Sequence, residues 1–218
     1  MMRHREARLQ WARVHSRWTR QQWKDVLFTD EMRACLRHID GRRRVWRRRG
    51  EQHSECCVQP VTAFGGGSVM VWSGITLTNK THLIQIKGNL NSNRYVAEIL
   101  RLHVVPHAAA IGNRFILMDD NARPHRGRVV TVFLAGAAIE RMVWPANSPD
   151  LNPIEHLWDQ LKRSVYRRIT EYSTLADLAQ LLQEEWTAIR QRRVSRLVNT
   201  TRRRCLEVIE KRGGYTHY

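Results

Sequence analysis

Acid is scarce in this chain. Only 20 Asp and Glu stand against 37 Lys and Arg in 218 residues, a formal net charge of +17. That deficit excludes a surface solvated by balanced charge and implies a polyanionic partner, most simply nucleic acid. Most of the excess is Arg, whose planar fork suits bidentate contact with phosphate. A histone-like or ribosomal scaffold carries the same charge, so charge alone says nothing about chemistry. Cysteine is scarce too: Cys35, Cys56, Cys57 and Cys205 form no CxxC pair. The chain opens Met-Met-Arg-His, unlike a signal peptide. The expectation is a reducing compartment without a disulfide framework. His53 beside Cys56 and Cys57 is half a zinc site with no second half at metal spacing. No apolar run reaches the roughly 18 residues that span a bilayer, so no membrane association is expected.

Hydrophobic residues make up 42%, enough for one domain with a full core. Residues 3–24 are basic and contain Trp11, Trp18 and Trp23; Leu9, Ala12 and Val14 give only weak helical periodicity, and the segment reads as the end of a linker helix. Val26 to Asp30 is a short apolar run ending in an acid and reads as a buried strand. Met32 to Ile39 is its expected hairpin partner. Gly65-Gly66-Gly67 is a turn signal before a strand at Ser68 to Ile75. His82 to Ile86, Phe115 to Asp119 and Ile139 to Trp144 also read as strands. Helices are expected over Asn91 to Ala110, with Tyr95, Ile99 and Leu102 at helical spacing, and over Arg126 to Ala137 and Pro153 to Arg168. Another begins at Thr174, capped with Asp177, with Leu175, Leu178, Leu182, Trp186 and Ile189 on one face. This order fits an α/β domain with a mixed sheet. Trp11, Trp72, Trp158 and Trp186 are expected in the core rather than as platforms for bases.

Two apolar strands end in carboxylates, Asp30 and Asp120. Acids there are costly if buried without compensation, and together at one rim of a sheet they suit a hard cation. Each alone could equally begin a turn. Strand alternation sends Asp30 and Glu31 to opposite faces, and likewise Asp119 and Asp120. Glu155 follows Asn152-Pro153-Ile154, which reads as N-cap, first and second helical positions. A capping-box role and a metal-ligand role both fit Glu155, and local spacing does not choose between them.

Taken together, three segments resemble the Tc branch of the Tc/mariner superfamily of DNA transposases. They are Leu27-Phe28-Thr29-Asp30-Glu31, Asp120-Asn121-Ala122-Arg123-Pro124-His125, and the run from Trp144 to Trp158 containing Ser148-Pro149-Asp150-Leu151-Asn152-Pro153-Ile154-Glu155. The last is the most specific, and the 34 residues between Asp120 and Glu155 match the Tc-type Asp-Asp-Glu interval. Arg44-Val45-Trp46-Arg47 with Gly50-Glu51, Val69-Met70-Val71-Trp72 and the terminal Gly213-Gly214-Tyr215 fall in the expected order, so the resemblance covers nearly the whole chain.

The resemblance implies an RNase H-like, retroviral-integrase-like mixed sheet flanked by helices. It places residues 1–24 in a linker, 25–170 in the catalytic core with a basic loop over 41–60, and 171–218 in a helical extension. Asp30, Asp120 and Glu155 become the catalytic triad and the ligands of two Mg²⁺ ions, with Mn²⁺ as a substitute. Double-stranded DNA, as transposon ends and as target at TA sites, is the implied partner, with no small-molecule substrate; action is expected in the nucleus. Family members act as dimers, so a homodimer is among the implied assemblies. Arg42, Arg43, Arg44, Trp46, Arg47, Arg48 and Arg49 form a candidate DNA-contacting loop, with a solvated or nuclear-import-like cluster as its alternative. Arg123, His125, Lys162 and Arg163 are further DNA candidates, although His125 fits a structural role as well. Three departures stand out. Met32-Arg33-Ala34-Cys35 replaces the usual Ser and aromatic, Asp119 stands where Gln is usual, and the family's N-terminal helix-turn-helix region has no counterpart here. A nuclease that cuts without joining, and a DNA-binding remnant without chemistry, are the competing functions.

Overall fold

Val26-Leu27-Phe28 is apolar on both faces of its strand, which suits only the middle of a covered sheet. The computed structural model, which describes residues 2–36 and 67–218, places it there. Helices α1 (Met2–His15) and α2 (Arg20–Lys24) lead into strand β1 (Val26–Cys35), followed by β2 (Ser68–Ile75) and β3 (Ile84–Ile86). A helical run comes next: α3 (Ser92–Arg94), a π-helical stretch (Tyr95–Val104) and α4 (Val105–Ile111). Then come β4 (Ile116–Met118), α5 (Arg128–Gly136) and β5 (Glu140–Arg141). Helices α6 (Pro153–Tyr166), α7 (Leu175–Ala188), α8 (Gln191–Asn199) and α9 (Thr201–Glu210) finish the fold. The sheet order is β3-β2-β1-β4-β5. β1 pairs antiparallel with β2 and parallel with β4, so the sheet is mixed as expected.

Each face of the sheet has its own apolar layer. Phe28 and Met118 point to one face, against Trp23, Leu157, Trp158 and Trp186. Leu27, Trp72 and Leu117 point to the other, against Tyr95, Ile99, Leu100 and Leu134. The tryptophans expected in the core, Trp11, Trp72, Trp158 and Trp186, are all buried. At about 25 cal/mol per Å² of apolar area, such large side chains carry much of the folding energy.

Several elements differ from the sequence expectation. Met32 to Cys35 does not fold back as a hairpin. It continues β1, and the antiparallel partner is β2, in register from Phe28↔Ile75 to Cys35↔Ser68. The reason is local: no turn residue interrupts at Glu31, and Met32 and Ala34 are buried around exposed Arg33, so the period of two runs on. The helical run from Asn91 is present, with the Asn91 side chain accepting from Arg94 N–H at 3.0 Å as N-cap. Its middle has π register, however, which spaces the buried residues four and five apart at Tyr95, Ile99, Leu100 and Val104, and leaves Leu102 exposed.

The segment expected as a linker belongs to the core. Arg8, Trp11, Ala12 and His15 are buried along one side of α1, which packs against α9. The Arg8 guanidinium grips Asp150 with two hydrogen bonds of 2.7 Å and donates to the carbonyls of Gly213 and Gly214. Gly213 has φ +84, and a Cβ there would sit 2.0 Å from the Arg5 carbonyl oxygen, so only glycine lets the C-terminal turn approach α1. Among the described residues, no helix is long and apolar enough to cross a membrane.

Candidate active site

Asp30 lies on β1 and Asp120 just past the end of its parallel neighbour β4, at the same level. Phe28 pairs with Met118, and each acid lies two residues farther on. Glu155 comes from the first turn of α6. Asn152 caps that helix, its side chain accepting from Ile154 N–H at 3.3 Å, while its amide donates to the Thr29 carbonyl at 3.2 Å. One turn later Trp158 Nε1 donates to Asp30 Oδ2 at 3.0 Å. Two hydrogen bonds therefore stitch the start of α6 to β1 and set Glu155 beside Asp30. Asp30, Asp120 and Glu155 line one cleft of about 420 Å³, with Asn121, Trp144 and Asn147 on its walls.

The capping-box alternative for Glu155 is not taken up. The Asn152 N–H donates to the Pro149 carbonyl at 2.9 Å instead. Glu155 makes no side-chain hydrogen bond among the described residues. Its pKa is raised by burial and then by the charges of Asp159 and Asp120, with Lys162 opposing. Asp30 is pushed well above the usual carboxylate range by burial, then by Glu155 and Glu31, with the Trp158 hydrogen bond resisting. Among the described residues, no three His, Cys, Asp or Glu side chains close around a single point as metal ligands. What the cleft offers is a set of hard oxygen donors, two of them with pKa values raised by burial and then by neighbouring like charge. That donor chemistry fits a hard divalent cation, whose charge would relieve the repulsion.

The adjacent acids Asp119 and Asp120 have opposite environments, as alternation requires. Asp119 is fully buried and paired with Arg141 through bonds of 2.7 and 2.9 Å, with Tyr95 donating at 3.3 Å. It does not face the cleft. Asp120 is half-exposed, and Oδ1 accepts from Ala122 N–H at 2.8 Å and from His125 Nδ1 at 2.7 Å. Burial pushes the Asp120 pKa up, but those two hydrogen bonds and the charges of His125 and Arg126 outweigh it and leave it lowered.

His125 was a candidate DNA contact. It is only 2% exposed, and Nε2 lies 3.1 Å from Glu31 Oε1 while Nδ1 engages Asp120. Burial opposes its charged form, yet the two carboxylates prevail and raise its pKa to about 10, so both ring nitrogens carry protons. A ring occupied on both sides does not reach a phosphate; it holds Asp120 in place. Arg123 is exposed beside the cleft, on a short 3₁₀ turn (Arg123–Arg126) that follows Asp120. Lys162 is partly exposed, two turns along α6 from Glu155, and Arg163 is exposed with Nε donating to the Asp159 carbonyl. Arg42, Arg43, Arg44, Trp46, Arg47, Arg48 and Arg49 lie outside the described residues, as do His53, Cys56 and Cys57.

Sequence reasoning missed the supports of the cleft. Arg141 carries no local signal for its pairing with Asp119. Arg8 lay within a segment read as linker, although it and Asp150 form a salt bridge with side chains only 3% and 8% exposed. Arg204 and Thr216 also bond Asp150, so α1, α9 and the C-terminus all meet on the loop that presents Glu155. The role of Glu31 was half-legible: alternation put it opposite Asp30, but nothing in the spacing pointed to His125.

Residues 25–178 match the family model described as DDE superfamily endonuclease. The chain is 34% identical to the transposable element Tc1 transposase of Caenorhabditis elegans over 99% of its own length and 78% of that protein. It is 33% identical to the Tcb2 transposase of Caenorhabditis briggsae over the same shares. Among solved structures, the Mos1 transposase catalytic domain with raltegravir and manganese superposes with a TM-score of 0.74 at 15% identity, covering 99% of this chain and 97% of that one. A Mos1 paired-end complex with the left transposon end gives a TM-score of 0.77 at 17% identity, and the chain spans 63% of that protein. At such identities the structural likeness speaks for the fold alone, which is RNase H-like.

Proposed function

The chain belongs to the DDE superfamily endonucleases, among the Tc/mariner transposases, and from that membership we propose that its acidic cleft cuts DNA at transposon ends and joins the freed 3′ end to target DNA. The observation that carries the reading is the meeting of Asp30, Asp120 and Glu155 on one cleft from three separate segments of the chain. The elevated pKa values of Asp30 and Glu155 support it, because buried carboxyls kept beside like charge are a common mark of a functional site. Two Mg²⁺ ions, or Mn²⁺, would be held by these three carboxylates and would supply activation of the attacking oxygen and stabilisation of the leaving one.

The chain's own residues prepare that chemistry. Trp158 fixes one oxygen of Asp30, so the other is free to face the cleft. His125, braced by Glu31, fixes one oxygen of Asp120 in the same way. Asn152 sets the angle at which α6 enters and thereby the position of Glu155. Arg123, exposed next to cleft-lining Asn121 and Ala122, would contact a phosphate flanking the scissile bond. Target joining at TA sites, action in the nucleus and pairing into a homodimer belong to the same proposal and rest on the family.

The experiment is direct. The purified protein is incubated in Mg²⁺ with duplex DNA carrying the element's terminal repeats, and then with pre-cut 3′ ends and a supercoiled target. Nicking at the repeat boundary followed by joined product is the expected result. Nicking without joining would reduce the function to that of a nuclease, and absence of both would end the catalytic reading.

A further inference from the structure

Outside the acidic cleft, the chain has a concavity of about 560 Å³ between α6, α7 and α8, lined by Arg163, Arg167, Arg190, Arg192, Arg193 and Arg196. All six are exposed. One acid reaches this groove, Glu185, and it is already bonded to Arg168 at 2.8 Å. Arg193 donates to Gln160, a neutral partner, and Arg163 to a backbone carbonyl. Elsewhere several arginines find carboxylates: Arg8 has Asp150, Arg94 has Glu98 and Arg141 has Asp119. Helix α8 shows how the cluster arises. Val194 and Val198 turn inward to the core, leaving Arg192, Arg193 and Arg196 on the outer side. Six guanidinium groups in one hollow repel one another, and the protein supplies almost nothing to offset it.

We propose that this groove is a second DNA-binding site, taking the phosphate backbone of a duplex whose scissile bond lies in the acidic cleft. The inference rests on the preceding reading in taking DNA as the anion and the acidic cleft as the place of cleavage. Helix α6 connects the two places: Glu155 is in its first turn, Arg163 is in its last turn and Arg167 is its C-cap. At 1.5 Å rise per residue, those arginines lie about 12 and 18 Å farther along the axis. At 3.4 Å per base pair that is roughly four to five base pairs from the cleft, so one short duplex reaches both. Contacts of this kind carry no base information; they set the register and angle of the duplex against the chemistry.

The test is binding of a short random-sequence duplex followed by fluorescence anisotropy across a salt series in EDTA. The triple variant Arg192→Gln/Arg193→Gln/Arg196→Gln is compared with Arg13→Gln/Arg101→Gln/Arg128→Gln, which removes the same charge from exposed positions outside the groove. Loss of each phosphate contact flattens the log–log salt slope by about 0.9, so the groove triple is expected to flatten it by about two to three. Affinity at fixed salt should fall by at least tenfold beyond the control. Equal slopes and affinities in the two triples would overturn the proposal. If the groove triple does not fold, Arg196→Glu against Arg196→Lys decides: the first must weaken binding and the second restore it, and equal binding by the two sinks the groove. Displacement of the duplex by polyglutamate at matched charge would make this an acidic-protein site and also overturn the assignment. Because metal is absent, failure here is separate from failure of the cleavage assay, which leaves the groove untouched.

Discussion

The two walls of the acidic cleft are built on opposite electrostatic plans. On the Asp120 wall the protein brings its own cation. His125, held between Asp120 and Glu31 with a pKa near 10, neutralises the carboxylate and keeps its pKa low. On the Asp30–Glu155 wall like charges face one another, and Trp158 and the Glu31 backbone offer Asp30 only neutral N–H donors. Both carboxyls there titrate high. One wall is finished by folding, and the other keeps like charges together, with Lys162 as a partial offset. Preorganisation and vacancy of charge thus sit side by side: on the proposed reading Asp120 is oriented before metal arrives, whereas Asp30 and Glu155 would respond to its arrival.

The sharpest break in that contrast is chemical. Asp30→Ala or Glu155→Ala should reduce Mg²⁺-dependent cleavage by roughly a thousandfold or more, since metal-ion stabilisation of the transition state is worth several kcal/mol. DNA binding measured in EDTA should stay close to wild type. Persistent nicking by either pure variant would remove that residue from the mechanism. A stability experiment separates the neighbours Asp119 and Asp120. Asp119→Ala leaves Arg141 largely buried without its partner and should cost about 3–5 kcal/mol in urea unfolding. Asp120→Ala opens a half-exposed site and should cost about 1–3 kcal/mol. Equal losses would mean that burial does not distinguish the two acids.

The finished wall has a pH signature. His125 has a folded pKa raised above its ordinary 6.5, so its stabilising contribution is fully present below 6.5 and is lost as pH rises through about 10. The effect is on the order of 3 kcal/mol or less, because Asp120 is half-exposed and water screens that partner. Metal-free wild type should therefore weaken between pH 7 and pH 10, and His125→Gln should flatten that slope. The unfinished wall acts in a different window. Asp30 and Glu155 are raised carboxylates, so their contribution is present below the ordinary carboxylate pKa and lost as pH rises through their folded values. A variant with an unchanged alkaline slope would show that His125 is not charged by its two carboxylates.

How much of this was readable from the chain depends on how local the cause is. The strand at Val26 to Asp30, the cap at Asn152 and the capping box of Thr174 with Asp177 are set by neighbours a few residues away, and sequence patterns register such causes. Alternation correctly separated Asp30 from Glu31 and Asp119 from Asp120, although only the family resemblance named which member of the second pair faces the cleft. The supports were not readable, because Arg8 with Asp150 and Arg141 with Asp119 pair across 142 and 22 positions. The linker reading of α1 failed for the same reason: its apolar face is narrow, and it is completed by a buried arginine whose partner lies far along the chain. The π register of Tyr95 to Val104 carries no signal in residue type at all, only in which side chains end up covered.

The smallest expected effect tests the unfinished wall most directly. If Glu155 is held among like charges without a hydrogen bond, then Glu155→Gln removes repulsion while keeping size and polarity. The metal-free protein should gain about 0.5–1 kcal/mol, the scale of a single screened like-charge contact near a surface. In wild type, Mg²⁺ at a hundred times its dissociation constant should add about 2.7 kcal/mol to the stability, by mass action on the folded state. In Glu155→Gln that increment should shrink, because one ligand and part of the relieved repulsion are both gone. The two measurements are made on the same protein with and without metal, so a variant that merely packs better raises both values. A rise without metal together with a reduced response to metal is the pattern that repulsion requires. A metal-free loss of stability would place Glu155 on a finished wall like that of Asp120.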